Sequence, residues 1–165
     1  PNNGLGVNWT AVTGTWNPLT NKARESAGVA NSITRISGVT TYSAGRMTCN
    51  VTLAAPLDCG IMFRGSDASN FWVLRGTVEA LVNYLDLVKV EAGVATIMAR
   101  YRAPGFVAGE THNLEVVCRD TEINGWYDGY NLLRVFNSFN QSAVWWGLYA
   151  NANTAARFDD TVVYK

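Results

Sequence analysis

The residues in this chain with the clearest chemistry to offer are aromatic. Trp72, Trp126, Tyr130, Trp145 and Tyr149 are more large rings than one core normally hides, in a chain of six Trp, seven Tyr and six Phe. A sugar ring has an apolar, CH-rich face and a polar rim, so it binds best on an aromatic plane flanked by hydrogen-bonding side chains. Arg64, Arg75 and Asn70 are the flanking candidates, with Arg64 supplying donors to sugar hydroxyls. The competing reading is that each ring fills the core, since large aromatics are highly buried on average.

Acidic chemistry is thinner. Retaining glycoside hydrolysis needs two carboxylates about 5 Å apart, one nucleophile and one acid. Asp86 and Glu91 are not spaced alike on one strand face. The lone His112 lies among Gly109, Glu110, Thr111 and Asn113, which reads as a loop, with Asn113 its last residue. No Gly-x-Ser-x-Gly elbow accompanies it. Asp159-Asp160 is the candidate metal pair: Ca²⁺ takes 6–8 oxygen ligands, and adjacent carboxylates beside a loop supply some of them. A turn, or a surface salt bridge to Arg157, is the alternative. No cofactor is required by anything else in the sequence. Gly4-Leu5-Gly6 and Gly45 lack the Gly-Lys-Ser/Thr of a phosphate loop.

Cys49, Cys59 and Cys118 are odd in number and lack CxxC spacing. That argues against zinc and against a dense disulfide framework. Each sits in an alternating run, so three buried thiols are expected, with one disulfide among them as the alternative. Three Asn-x-Ser/Thr triplets, at Asn8, Asn50 and Asn140, match the glycosylation pattern, which is short and frequent by chance.

The elements that must position these residues are strands. Apolar/polar alternation marks eleven segments: 32–36, 46–53, 59–64, 70–75, 85–90, 96–101, 114–118, 123–127, 132–136, 144–149 and 156–164. Turn formers separate them. Asp128-Gly129 is the pair a type I′ hairpin favours, Glu91-Ala92-Gly93 marks another turn, and Gly65 to Ser69 reads as a loop. No stretch sustains a 3.6-residue period, so the chain is expected to be all-β, a two-sheet antiparallel sandwich. Alternation then directs Ile61, Phe63, Ile123 and Tyr127 inward, and Met62, Arg64 and Trp126 outward. Trp146 and Leu148 share one face, Trp145 and Tyr149 the other.

Composition sets the bounds. At 165 residues the chain reads as one domain, residues 1–165, able to bury roughly 70 % of its unfolded surface. It is 48 % hydrophobic and only 16 % charged, which excludes a disordered chain. Thirteen basic and thirteen acidic side chains leave no net charge, against a general nucleic-acid partner. The longest uncharged apolar run, Ala143 to Ala150, is far shorter than the ~20 residues of a spanning helix. The opening at Pro1 without a Met reads as a processed chain or an excised domain.

Three segments resemble one family. Cys59 to Arg75, CGIMFRGSDASNFWVLR, is similar to the "GIVFRYSDASNFYLLR" strand pair of concanavalin A-like jelly-roll domains, the laminin-G-like and lectin/glucanase group. Leu5-Gly6-Val7-Asn8-Trp9 with Gly14-Thr15-Trp16 resembles their "LGxxW…GxW" opening. Gly147-Leu148-Tyr149 and Ala155 to Tyr164 resemble their closing "GL…ATARFDDVVVY". The resemblance implies a jelly roll that uses a sheet face or its edge loops to bind sugar, and a structural calcium near the final strand in several families. Its glucanase branch carries Glu-x-Asp-x-Glu on one strand. The nearest match, Glu122-Ile123-Asn124-Gly125-Trp126, has Asn for the Asp and no second Glu. The expectation is therefore a non-catalytic module recognising a cell-surface glycan or receptor through Arg64, Trp72, Trp126, Tyr130, Trp145 and Tyr149. Modules with similar openings are appended to bacteriophage tail and secreted surface proteins, which implies an extracellular or virion-surface setting within a larger protein. The alternative is a structural spacer or decoration domain without sugar binding.

Overall fold

A computed structural model describes residues 9–19, 22–28, 30–37, 43–52, 58–78, 82–103, 107–152 and 155–165. Among these there is no helix and there are fourteen strands. They are β1 (Trp9–Thr13), β2 (Trp16–Leu19), β3 (Lys22–Glu25), β4 (Ser32–Ile36), β5 (Gly45–Thr52), β6 (Cys59–Asp67) and β7 (Asn70–Val78), then β8 (Asn83–Glu91), β9 (Val94–Arg102), β10 (Thr111–Arg119), β11 (Glu122–Tyr127), β12 (Tyr130–Phe136), β13 (Trp145–Ala150) and β14 (Arg157–Tyr164). Sheet I has the order β1-β4-β13-β6-β7-β8-β9 and sheet II the order β12-β11-β10-β5-β14-β3-β2. Every pairing is antiparallel, and chain-distant strands β13 and β14 are inserted in the two sheets beside β6 and β5. This is the concanavalin A-like jelly roll.

The three strands that alternation did not mark are β1, β2 and β3. Their sequences, WTAVT, WNPL and KARE, are short, and none alternates apolar with polar residues over its whole length. Pro18 lies in β2 at the edge of sheet II, the part of a sheet where proline is accommodated. The Gly65–Ser69 loop is shorter than expected: β6 runs to Asp67, β7 starts at Asn70, and the turn is Ala68-Ser69. His112 and Asn113 belong to β10, not to a loop. Leu5 to Asn8 and Leu53 lie outside the described residues.

Hairpin geometry follows turn chemistry. Asp128 and Gly129 have φ of 46° and 84°, both positive as a type I′ turn demands, and Tyr127 pairs with Tyr130 across it. Ala92 and Gly93 repeat the pattern between β8 and β9. In the β6–β7 turn the Asp67 carboxylate accepts the Ser69 N–H at 2.7 Å and the Asn70 amide at 3.0 Å, which holds its pKa below the usual Asp value.

Between the sheets lies a core of inward residues: Met47, Cys49 and Val51 of β5, Ile61 and Phe63 of β6, Trp72 and Leu74 of β7, Leu114, Val116 and Cys118 of β10, and Trp146 and Leu148 of β13. Phe63 stacks near Trp72 and Trp146, with ring centroids 6.3 and 6.2 Å apart. The three cysteines are free and buried, and burial pushes the Cys49 and Cys118 thiols up to about 12.

Sheet II alternates cleanly between buried and outward residues. Sheet I does not. A second buried cluster, Ile33, Met62, Phe71, Val73, Val88, Val90 and Tyr149, occupies its outer face. Met62 thus points away from the main core, as alternation requires, yet is buried rather than exposed. Strands buried on both faces read as continuous apolar runs, and Phe71-Trp72-Val73-Leu74 is one.

Candidate functional site

The outer face of sheet II carries a cleft of about 1000 Å³. Alternation builds it. In β11, Ile123 and Gly125 face the core, so Glu122, Asn124 and Trp126 face out. In β10, Leu114, Val116 and Cys118 face in and Glu115 and Val117 face out. Register places Glu115 beside Trp126 and Val117 beside Asn124. A bulge at Gly125/Trp126 sets Asn131 of β12 opposite the Trp ring position, with Arg134 opposite Asn124. Arg46 of β5 and Tyr164 of β14 close the far wall.

The polar groups around Trp126 are fixed by one another. Arg46 donates to the Glu115 carboxylate at 2.7 Å, and its guanidinium sits 5.3 Å from the centre of the Tyr164 ring. Arg134 donates to Glu122 at 2.8 Å. Asn124 donates to Glu122 at 3.0 Å and accepts from Asn131 at 3.2 Å. The half-buried Trp126 indole N–H has no acceptor among the described residues. The result is a ring bordered by donors and acceptors whose positions are already set, as a pyranose face and its hydroxyls require.

The other sequence candidates separate. Trp72 is a core residue, and its indole N–H donates to the Phe139 carbonyl at 3.0 Å. Tyr149 is buried in the outer cluster of sheet I and donates to the Asn31 side chain at 3.0 Å. Trp145 does face outward, but from sheet I: it packs half-buried on that cluster, with the Arg35 guanidinium 4.7 Å above its ring. Trp126 and Trp145 therefore lie on opposite sides of the sandwich and cannot form one platform. Tyr130 is 71 % exposed at the tip of the β11–β12 hairpin. Arg64 is the largest departure from expectation. It is 0 % exposed, because a bulge turns it off the outer face. Its Nη2 donates to the Asp120 carbonyl at 2.5 Å and its Nε to the Ser43 carbonyl at 3.3 Å. It ends in a polar pocket of about 500 Å³ that shares Ser43 and Ala44 with the Trp126 cleft.

Sequence reasoning missed Arg46, Glu115, Asn131, Arg134 and Tyr164. The signal was present in part, since alternation on β5 and β10 puts Arg46 and Glu115 on the outward side. What was missing was the strand order that brings them beside Trp126.

The acidic candidates are engaged elsewhere. Asp159 lies 4.0 Å from Lys22, and Asp160 accepts from the Asn50 amide at 2.8 Å. No cluster of three or more His, Cys, Asp or Glu able to hold a metal ion occurs among the described residues. His112 Nδ1 lies 2.8 Å from both the Asp128 carboxylate and the Tyr127 hydroxyl, tying β10 to the base of the β11–β12 hairpin. Burial, with Asp128 adding to it, raises the Tyr127 pKa. Two of the Asn-x-Ser/Thr triplets have occupied amides: Asn50 with Asp160, and Asn140 with the carbonyls of Arg64 and Asn70.

No protein-family model and no curated protein matches the chain. Solved structures do. The carbohydrate-binding module CBM66 from Bacillus subtilis is similar with a TM-score of 0.79 at 21% identity, over 96% of each chain. The CBM2 module of the evolved Dit of Lactobacillus casei BL23 phage J-1 gives 0.64 at 10% identity, over 98% of this chain and 91% of that one. The β-glucanase of Bacillus licheniformis gives 0.62 at 11% identity, over 99% and 94%. At these identities the likeness is one of fold: the chain has the jelly roll shared by carbohydrate-binding modules and glucanases.

Proposed function

We propose that the protein is a non-catalytic carbohydrate-binding module that holds a glycan on the outer face of sheet II. The observation that carries this reading is Trp126, an outward ring in a cleft whose border is made of pre-paired Arg46, Glu115, Glu122, Asn124 and Arg134. The fold shared with two carbohydrate-binding modules supports it. The setting we favour, a phage tail or secreted surface protein, rests on the sequence resemblance and on the phage module's shared fold.

The glucanase neighbour makes catalysis the reading to test. Glu122, Asn124 and Trp126 do alternate into one cleft, yet only the first is a carboxylate. The next cleft carboxylate, Glu115, pairs with Trp126, four residues along β11 from Glu122. At a strand rise of roughly 3.4 Å per residue this sets their backbones roughly 13 Å apart along the sheet. Each is also held by an arginine.

A glycan array probed with the purified chain, with and without calcium, tests binding and the calcium requirement together. Retained glycan binding after chelation is the expected result. Absence of any glycan hit from the array and from intact cell surfaces would favour the spacer reading. Sustained release of reducing sugar from β-glucans, abolished by Glu122→Gln, would replace the binding module with an enzyme.

A further inference from the structure

We propose that the pocket beside the Trp126 cleft is an anion site, in which the Arg64 guanidinium takes a carboxylate or phosphate group. The pocket is argued from its own geometry. That the anion is borne on a glycan rests on the carbohydrate reading above.

The site begins with a backbone irregularity. Between the pairs Phe63–Trp72 and Asp67–Asn70, residues 64–66 of β6 stand opposite the single residue Phe71 of β7. Arg64 has a φ of +46°, a left-handed conformation a side chain this bulky rarely takes. The strain turns its side chain from the sheet face to the end of the sandwich. There it is fully buried.

The guanidinium is underserved in that position. It has five N–H donors in a rigid fork, and two carbonyls, of Ser43 and Asp120, take the bonds the structure gives it. Among the described residues the buried Nη1 has no partner and no carboxylate pairs with the group. A buried charge without a counter-charge is the costly arrangement; proteins ordinarily pair it. Here the space beside it is a pocket of about 500 Å³ whose other walls include Ser138, Gln141 and Ser142. These neutral donors are suited to the outer oxygens of an oxyanion that the fork grips. The Asn140 amide bonds the carbonyls of Arg64 (3.1 Å) and Asn70 (2.9 Å), fastening this wall to β6. The pocket adjoins the cleft, since Ser43 and Ala44 line both, so an acidic group on a glycan stacked on Trp126 has this pocket as its neighbour.

A neutral sugar is the competitor: Arg64 donating to a hydroxyl while the Asp120 carboxylate, which belongs to an exposed residue at the rim, accepts from another. The two differ in sign at Asp120, which repels an anion and attracts a hydroxyl. Binding of sodium glucuronate, inorganic phosphate and glucose at matched ionic strength is measured by titration calorimetry, with the thermal midpoint alongside. The expected result is binding of glucuronate or phosphate without glucose, weakened by added salt. Asp120→Asn, which keeps a side chain tolerant of the φ of +47° at that turn, is expected to tighten anion binding by about two- to fivefold, the size of one exposed charge interaction. Arg64→Gln, if its midpoint shows it folded, is expected to lose anion binding. Glucose bound as well as glucuronate, or anion binding weakened by Asp120→Asn, overturns the proposal. Phosphate binding without glucuronate assigns the pocket to free or lipid-borne phosphate. Anion binding with no glycan hit sinks the carbohydrate reading alone, and glycan binding indifferent to charge sinks the anion site alone.

Discussion

The two outer faces of the sandwich are built from strands of the same kind and have opposite fates. On sheet I the outward positions of β6, β7 and β8 hold Met62, Phe71, Val73, Val88 and Val90, all buried. Even a carboxylate on that side is enclosed. Asp86, 0 % exposed, accepts two bonds from Arg100 at 2.7 and 2.8 Å, and Arg75 bridges toward it while pairing with Asp58. On sheet II the outward positions of β5, β10, β11 and β12 hold Arg46, Glu115, Glu122, Asn124 and Arg134 around one Trp. A closed apolar face contributes stability and leaves no room for a ligand. An open polar face with a ring at its centre contributes little stability and stays accessible to a ligand.

The comparison breaks most visibly at Phe71 and Trp72, neighbours on opposite faces of β7. Both are buried, so each truncation to Ala is expected to cost about 3–5 kcal/mol, measured by denaturant unfolding. A Phe71→Ala cost below about 1 kcal/mol, within the range of surface substitutions, would show that the outer face of sheet I is not a second core.

On sheet II the same kind of truncation should do the reverse. Trp126→Ala is expected to weaken glycan binding by about tenfold, equivalent to about 1.4 kcal/mol, with a near-native thermal midpoint. Trp145→Ala sharpens the contrast. It removes a half-buried ring and its cation–π contact with Arg35, for a stability cost of about 1–2 kcal/mol. Glycan affinity should not move, since the ring is on the far side. Equal loss of binding from both substitutions would place the ligand somewhere other than the sheet II cleft.

Two smaller effects come from titration. Burial raises the Cys49 and Cys118 thiols from 9.0 to about 12, and Cys59 also rises. Above pH 9 the unfolded chain releases these protons while the folded chain keeps them. Stability should therefore fall as pH rises from 9 toward 12, and Cys118→Ala should flatten its share of that slope. Native protein should also resist alkylation by a thiol reagent until it unfolds. At the exposed β6–β7 turn, the Asp67 pKa is lowered by the bonds from Ser69 and Asn70. Its contribution is present above the ordinary Asp pKa and lost as pH falls through the folded value, so Asp67→Asn should reduce the acid sensitivity of this hairpin by a small margin, read by hydrogen exchange at the Ser69 amide.

Local chemistry in the chain was enough to give the class of fold. Period-two alternation, Asp128-Gly129 and Ala92-Gly93 at the turns, and three thiols in alternating runs lead to the sandwich, its hairpins and its buried cysteines, because each depends on neighbours within a few residues. The same rule sent Trp126 outward correctly, since Ile123 and Gly125 beside it in β11 fix its side. It failed where long-range partners decide. Alternation says that Met62 and Trp145 point away from the core, but not that the side they point to is itself covered. It cannot say that Trp126 and Trp145 belong to different sheets, because strand order is set by pairings such as β13 with β6 and β10 with β5, between segments far apart in the chain. The bulge at Arg64 escapes it altogether: slipping two extra residues into β6 moves a charged side chain from solvent to the end of the core, and only the register against β7 reveals it. Away from the Arg64 bulge, side-chain direction was thus a property of the sequence, while burial, company and the site itself were properties of which strands came to lie side by side.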